Sequence, residues 1–545
     1  MTDNILEALR QSYLEEPQRQ ALISPRGNLT VEELERRSSA CARGLAHLGL
    51  GELDRVALMV TPGANFLVAA FGLLKCGCSM VLIDPGIGRE NMGACLQEAE
   101  PKGFIGVPLA HLARRWLGWA TNSLRITIST GFRWGLADHS LSGVERAGQS
   151  PTAESVPARS GDHPVAIAFT SGSTGPPKGV IYTQRMFEAQ VRMLREAYSI
   201  APGEVDLATF PLFGLFDVGW RATTVFPDMD FTKPGSVDPV MLVRLIQERQ
   251  VTHMFGSPAL LDRLSRHAAP LGVKLRSLRR VLSAGAPVSS QILDRGRGLL
   301  LGSADVHTPY GATEALPVST IEAAQVLRER GSEQGRGVCV GTPFPGVEVA
   351  ILAISDEPIE EWSDDLCLGT GEVGEITVTG DNVSQGYYGR PTADRLAKIR
   401  DGERIWHRMG DLGYRDEQGR LWFCGRKSHR VEIAGMALFT VQVEGVYNQH
   451  PDVFRSALVG IGNRGSQRPV LCIQLEAGSE RTGDPELVSE ILQLGKSHPF
   501  GGVIDTVLFH PDFPVDIRHN AKIFREKLAV WAAQVLERGK GNEYA

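Results

Sequence analysis

Apolar and polar positions alternate in two registers along most of this 545-residue chain. Short, nearly continuous apolar runs, VALMV (56–60), SMVLID (79–84), GFIGV (103–107), PVAIAFT (164–170), DLATF (206–210) and RRVLSAG (279–285), read as strands. Between them lie longer stretches with apolar residues every three or four positions, as helices with one covered face require. That alternation over residues 1–425 predicts α/β organisation. Segment 141–163 is polar and rich in Ser, Ala, Pro and Gly, and reads as a connection into the strand at 164–170. Residues 76–78, Cys-Gly-Cys, fall in a run that reads as strand. Segment 109–120, LAHLARRWLGWA, is amphipathic and reads as a helix facing the core, with contact to lipid or an acyl-delivering partner as the alternative.

Composition narrows the class. A hydrophobic content of 42% over this length supports more than one domain with a sizeable core. The net charge of −6 argues against nucleic-acid binding, which needs a basic footprint. The eight cysteines are scattered without zinc-site spacing, as expected of buried thiols in a reducing compartment. The N-terminal segment lacks a signal-peptide layout, and the apolar run at 66–74 stops at Lys75, too short for an integral membrane span. A cytoplasmic location is the expectation.

Candidate chemistry concentrates in residues 169–179, FTSGSTGPPKG. Gly172, Gly175 and Gly179 permit close backbone approach, Ser171, Ser173 and Thr174 offer hydroxyls, and Lys178 brings a point charge, so the run reads as a polyphosphate site for ATP. It is not a P-loop: Lys178 is followed by Gly179, and Pro176-Pro177 removes two backbone donors.

The same run resembles the phosphate-binding signature of the acyl-adenylate-forming superfamily, which includes acyl-CoA synthetases and the adenylation domains of peptide synthetases. The likeness covers nearly the whole chain and recurs in order in SAGAP (283–287), TPYGATEALP (308–317), WHRMGDLG (406–413), GRKS (425–428) and NAKIFR (520–525). It implies a large N-terminal domain of α/β subdomains over residues 1–425 and a small mobile α+β C-terminal domain over 426–545. It also implies that Ala284, Gly285 and Ala286 lie along adenine, that Tyr310 stacks on it beside Gly311, and that Thr313 contacts the α-phosphate. Glu314, with Thr170 nearby, would hold Mg2+, as a hard cation wants oxygen ligands. Asp411 would accept from the ribose hydroxyls, Arg426 would touch ribose or phosphate at the hinge, and Lys522 would be the catalytic lysine, stabilising charge as carboxylate attacks phosphorus.

Departures from the usual pattern point to a branch. Two acidic residues usually follow the hinge arginine, whereas this chain reads GRKSHRVE (425–432), and Gly214 replaces a usual histidine, which is expected to widen the acyl tunnel mouth. With VLIDPGIGRENM (81–92) and FPVDIRHNAKIFREKL (513–528), these features resemble the β-lactone synthetases of bacterial long-chain olefin biosynthesis. The likeness implies a 2-alkyl-3-hydroxy long-chain acid as substrate, β-lactone, AMP and pyrophosphate as products, and other olefin-pathway enzymes as partners. A long-chain fatty-acyl-AMP or acyl-CoA ligase is the alternative, and a non-catalytic nucleotide-binding scaffold a third. His429 and His519 are both candidates, by residue type, for taking the β-hydroxyl proton.

Overall fold

The structure is a computed structural model that describes residues 2–149, 159–170, 176–515 and 523–539. Helix Val31–His47 begins on a capping box in which Thr30 and Glu33 satisfy each other's backbone amides, and it buries Leu34, Cys41 and Leu45. Helix Ala64–Cys76 is apolar all round and buried along most of its length, ending at Gly77 in the left-handed conformation. Cys76 therefore closes a helix, and the strand expected through 76–78 begins only at Ser79, because Gly77 is the stop.

Two seven-stranded sheets carry most of the chain. The first runs in the order His139–Ser140, Ile126–Ser129, Gly103–Gly106, Arg55–Met59, Ser79–Ile83, Pro164–Thr170, Lys178–Thr183. All its pairings are parallel except the last. The second runs Asp305–His307, Arg280–Leu282, His253–Phe255, Val205–Ala208, Thr223–Val225, Gln20–Ile23, Leu29–Thr30, again parallel but for its final hairpin. Every strand expected from an apolar run is present. An eight-stranded antiparallel sheet, from Tyr310–Ala312 through to Leu421–Arg426, packs with both, and one apolar cluster spans the three.

After Arg426 the organisation changes. A single turn, Lys427–His429, leads to the hairpin Val431–Ile433/Met436–Leu438, helix Thr440–Tyr447 and a three-stranded sheet of Val453–Ile461, Arg468–Leu475 and Val507–Phe509. Separate apolar clusters pack there, one containing Tyr447 and Ile491, the other Leu528 and Ala532.

Two expectations fail. Gly214, on helix Phe213–Trp220, does not widen a tunnel: a Cβ there would lie 2.9 Å from the Phe226 ring, so a neighbouring aromatic fills the space. Helix Pro108–Leu117 does not turn its apolar stripe to the core. Its buried residue is His111, whose Nε2 lies 2.9 Å from the Ile128 carbonyl, while Leu109, Leu112, Trp116 and Leu117 are exposed.

Candidate active site

A cavity of about 2370 Å3 opens where the two parallel sheets, the antiparallel sheet and the C-terminal part converge. Its walls are largely apolar, Phe66, Phe210, Phe213 and Phe231 among them, with polar groups at Tyr310, Glu314, Asp411 and Arg426. The cavity reaches the C-terminal ends of strands Arg280–Leu282 and Asp305–His307, where parallel sheets commonly receive ligands.

Strands Pro164–Thr170 and Lys178–Thr183 pair antiparallel with Thr170 opposite Lys178, and Phe169, Pro176 and Lys178 line the cavity. Ser171, Gly172, Ser173, Thr174 and Gly175 lie outside the described residues, as does the Thr170 side chain. The Lys178 Nζ sits 4.5 Å from the centre of the Tyr387 ring. The Tyr387 hydroxyl donates to Glu314 at 2.7 Å, and burial followed by the Glu314 charge pushes its pKa far up, so it stays a donor. Lys398 reaches the same ring at 5.9 Å and donates to the Ser384 carbonyl; complete burial pulls its pKa down to about 8 against the attraction of Glu314 and Asp394. The Tyr182 hydroxyl fixes the Thr313 carbonyl at 2.8 Å. Thr313 and Glu314 thus stand on a hairpin braced from both sides.

Tyr310, Asp411 and Arg426 form a three-residue relay. The Tyr310 hydroxyl donates to Asp411 at 2.7 Å, and the Arg426 guanidinium donates to the second Asp411 oxygen at 2.6 Å. Strand pairing puts Asp411 directly opposite Arg426, which is why a carboxylate and a guanidinium 15 residues apart meet. Gly285 has φ +96°, a conformation that favours glycine, and carries Ala284 and Ala286 past the cavity wall. Gly311 is needed for a different reason: a Cβ there would lie 2.8 Å from the Ala315 carbonyl across the hairpin.

From the C-terminal part, His429, Glu444 and Arg525 border the same cavity. Arg525 donates to Glu444 at 2.6 Å. Both ring nitrogens of His429 are buried and have no hydrogen-bond partner among the described residues. Burial, then Arg525 and Arg426, pulls its pKa down to about 3, so the ring is neutral with an open lone pair. Lys522 and His519 lie outside the described residues.

The donor set suits the ligands expected from the sequence. A carboxylate at Glu314 with one oxygen held by Tyr387 fits a hard cation, and the Lys178 ammonium at the cavity fits a polyphosphate beside it. Tyr182, Tyr387 and Lys398 escaped sequence reading. Tyr387 stands in a Gly-Tyr-Tyr-Gly run whose glycines were a usable signal; Tyr182 and Lys398 sit in ordinary strands, and only the fold brings them here.

Comparison with known proteins gives the same picture. The family model described as AMP-binding enzyme matches residues 9–388. An olefin beta-lactone synthetase of Xanthomonas campestris pv. campestris is 45% identical over 97% of this chain and 98% of its own length. One from Stenotrophomonas maltophilia is 47% identical over 94% of this chain and 92% of its own. Among solved structures, an amide bond synthetase from Marinactinospora thermotolerans superposes with a TM-score of 0.79 at 22% identity, covering 97% of this chain and 99% of that one.

Proposed function

The chain belongs to the AMP-binding enzyme family, and from that premise we propose that its site adenylates a 2-alkyl-3-hydroxy long-chain acid and closes it to a β-lactone. The enzyme is an AMP-forming ligase of the olefin β-lactone synthetase type. The observation that carries this reading is 45–47% identity to two such synthetases over nearly the full length, and the large, mostly apolar cavity suits its substrate.

The chemistry proceeds in two steps. First the substrate carboxylate attacks the α-phosphorus of ATP and pyrophosphate leaves. Ala284, Gly285 and Ala286 line the adenine, Tyr310 stacks on it, Asp411 holds ribose, Arg426 touches ribose or phosphate, and residues 171–175 with Lys178 grip the phosphates. Thr313 positions the α-phosphate, and Lys522 stabilises the charge that develops there. Glu314, with Thr170, would hold Mg2+, which when bound neutralises phosphate charge.

In the second step the β-hydroxyl oxygen attacks the acyl carbon, the bond to phosphate oxygen breaks, and AMP departs. His429 is the group proposed to take the hydroxyl proton, from its place at the cavity and its ring nitrogens without a partner among the described residues. Burial and the Arg525 and Arg426 charges weaken it as a base, so the role requires the bound adenylate to offset those charges as the proton arrives. A tethered nucleophile needs no external thiol, since effective molarities of oriented intramolecular groups reach about 10⁵–10⁸ M.

The test is turnover of a synthetic 2-alkyl-3-hydroxy acid with ATP and magnesium, with and without CoA. A neutral lactone, AMP and pyrophosphate are expected without CoA. The 3-deoxy analogue should stop at an adenylate that hydroxylamine traps. A CoA thioester from an unbranched fatty acid, with no lactone from the hydroxy acid, overturns the reading in favour of an acyl-CoA ligase.

A further inference from the structure

Helix Pro108–Leu117 is built inside out for a globular protein. It spends its buried position on His111, which packs edge-on to Phe104 with ring centres 5.0 Å apart, and turns leucine and tryptophan outward. Trp116 is 86% exposed and Leu109 71%. Beside it runs the 131–136 loop: the Arg114 guanidinium donates to the Leu136 carbonyl at 3.1 Å, and a Cβ on Gly131 would lie 3.1 Å from Pro108. That loop presents Phe132, 79% exposed, and Trp134, 69% exposed. A monomer rarely leaves this much contiguous large apolar surface without a use.

Charge says what covers it. Residues 103–137 contain Arg114, Arg115, Arg125 and Arg133 and no aspartate or glutamate, in a chain whose net charge is −6. Exposed tryptophan and leucine interleaved with arginine is the composition of a face that lies in the headgroup region of an anionic bilayer, where rings bury and guanidiniums meet phosphate. Position supports the same occupant: Leu109, Leu112 and Trp116 also line the substrate cavity, so the helix side of the patch borders it. No helix among the described residues is long and apolar enough to cross a membrane, so contact here is peripheral.

We propose that helix Pro108–Leu117 and the 131–136 loop form a docking face for anionic lipid surfaces, through which a long-chain substrate passes from bilayer to cavity. The delivery role rests on the lactone reading; the docking does not.

Docking is measured on the full chain without ATP or acid, by co-sedimentation with phosphatidylglycerol/phosphatidylcholine vesicles against phosphatidylcholine alone. Partition is expected to be on the order of tenfold stronger with the anionic lipid and to weaken as salt is raised. Phe132→Ser/Trp134→Ser and, separately, Arg115→Glu/Arg133→Glu should each abolish the preference, while turnover of detergent-solubilised acid is unchanged. Absence of partition into anionic vesicles overturns the proposal, as does equal partition by the variants. A second protein that binds this face while vesicles do not makes it a protein interface and overturns it too. Because vesicle binding is read without substrate, its failure leaves the lactone assignment to its own test.

Discussion

At the scale of single residues, the proposed mechanism assigns several groups to the first step and His429 to the second. His429→Gln should leave ATP–pyrophosphate exchange near the wild-type rate, while lactone formation falls by roughly 10²–10⁴-fold, the range for a lost general base. Adenylate should then accumulate and be trapped by hydroxylamine; equal loss of exchange and closure would remove His429 from that role. Glu314→Gln should act earlier, costing exchange severely and recovering in part at high magnesium, and unchanged activity at limiting magnesium would refute the metal assignment. Glu314, Asp411 and Arg426 were singled out in the sequence because each stands in a short motif, and the structure brings all three to one cavity. Tyr387 as the partner of Glu314 and Lys398 as the neighbour of Tyr387 were not legible, since nothing local reveals that a loop residue and the start of a later strand meet the 313–314 turn.

At the scale of elements, strands were read more reliably than the direction in which helices face. A buried strand announces itself by continuous apolar residues, whatever packs on it. A helix announces only that it has an apolar side, and Pro108–Leu117 shows that the side need not meet the core. Helix Phe213–Trp220 teaches the converse, because the missing side chain of Gly214 is replaced by Phe226 from another strand's end. Gly214→His should therefore overpack that contact and destabilise the protein by about 1–3 kcal/mol, measured as a lower denaturant midpoint; an unchanged midpoint would mean that the helix yields freely.

At the scale of the whole molecule, the second parallel sheet hides an ionisable cluster. His253 lies 3.3 Å from Glu204, 3.6 Å from Asp206 and 3.9 Å from Asp217, with Arg280 and Thr252 also on Glu204 and Thr224 on Asp217. Burial alone would depress the histidine, yet Asp206, then Asp217 and Glu204, raise its pKa to about 9. Burial and Asp217 raise that of Asp206 as well. Both groups bind protons more tightly when folded, so the stability they contribute is lost with rising pH. For His253 it is full below the unfolded value of about 6.5 and gone once pH has risen through about 9. The melting temperature should fall over that window, and His253→Gln should flatten the fall; a pH-independent melting temperature would contradict the cluster. The sequence by itself determined the α/β class, the order of the motifs and the kind of chemistry, because apolar periodicity and short motifs are local properties of the chain. Tertiary structure alone decided which residues brace Glu314, where His429 ends without a partner among the described residues, what fills the space at Gly214 and which way Trp116 faces. Each of those depends on atoms brought together from segments far apart in the chain, and no local pattern encodes such a meeting.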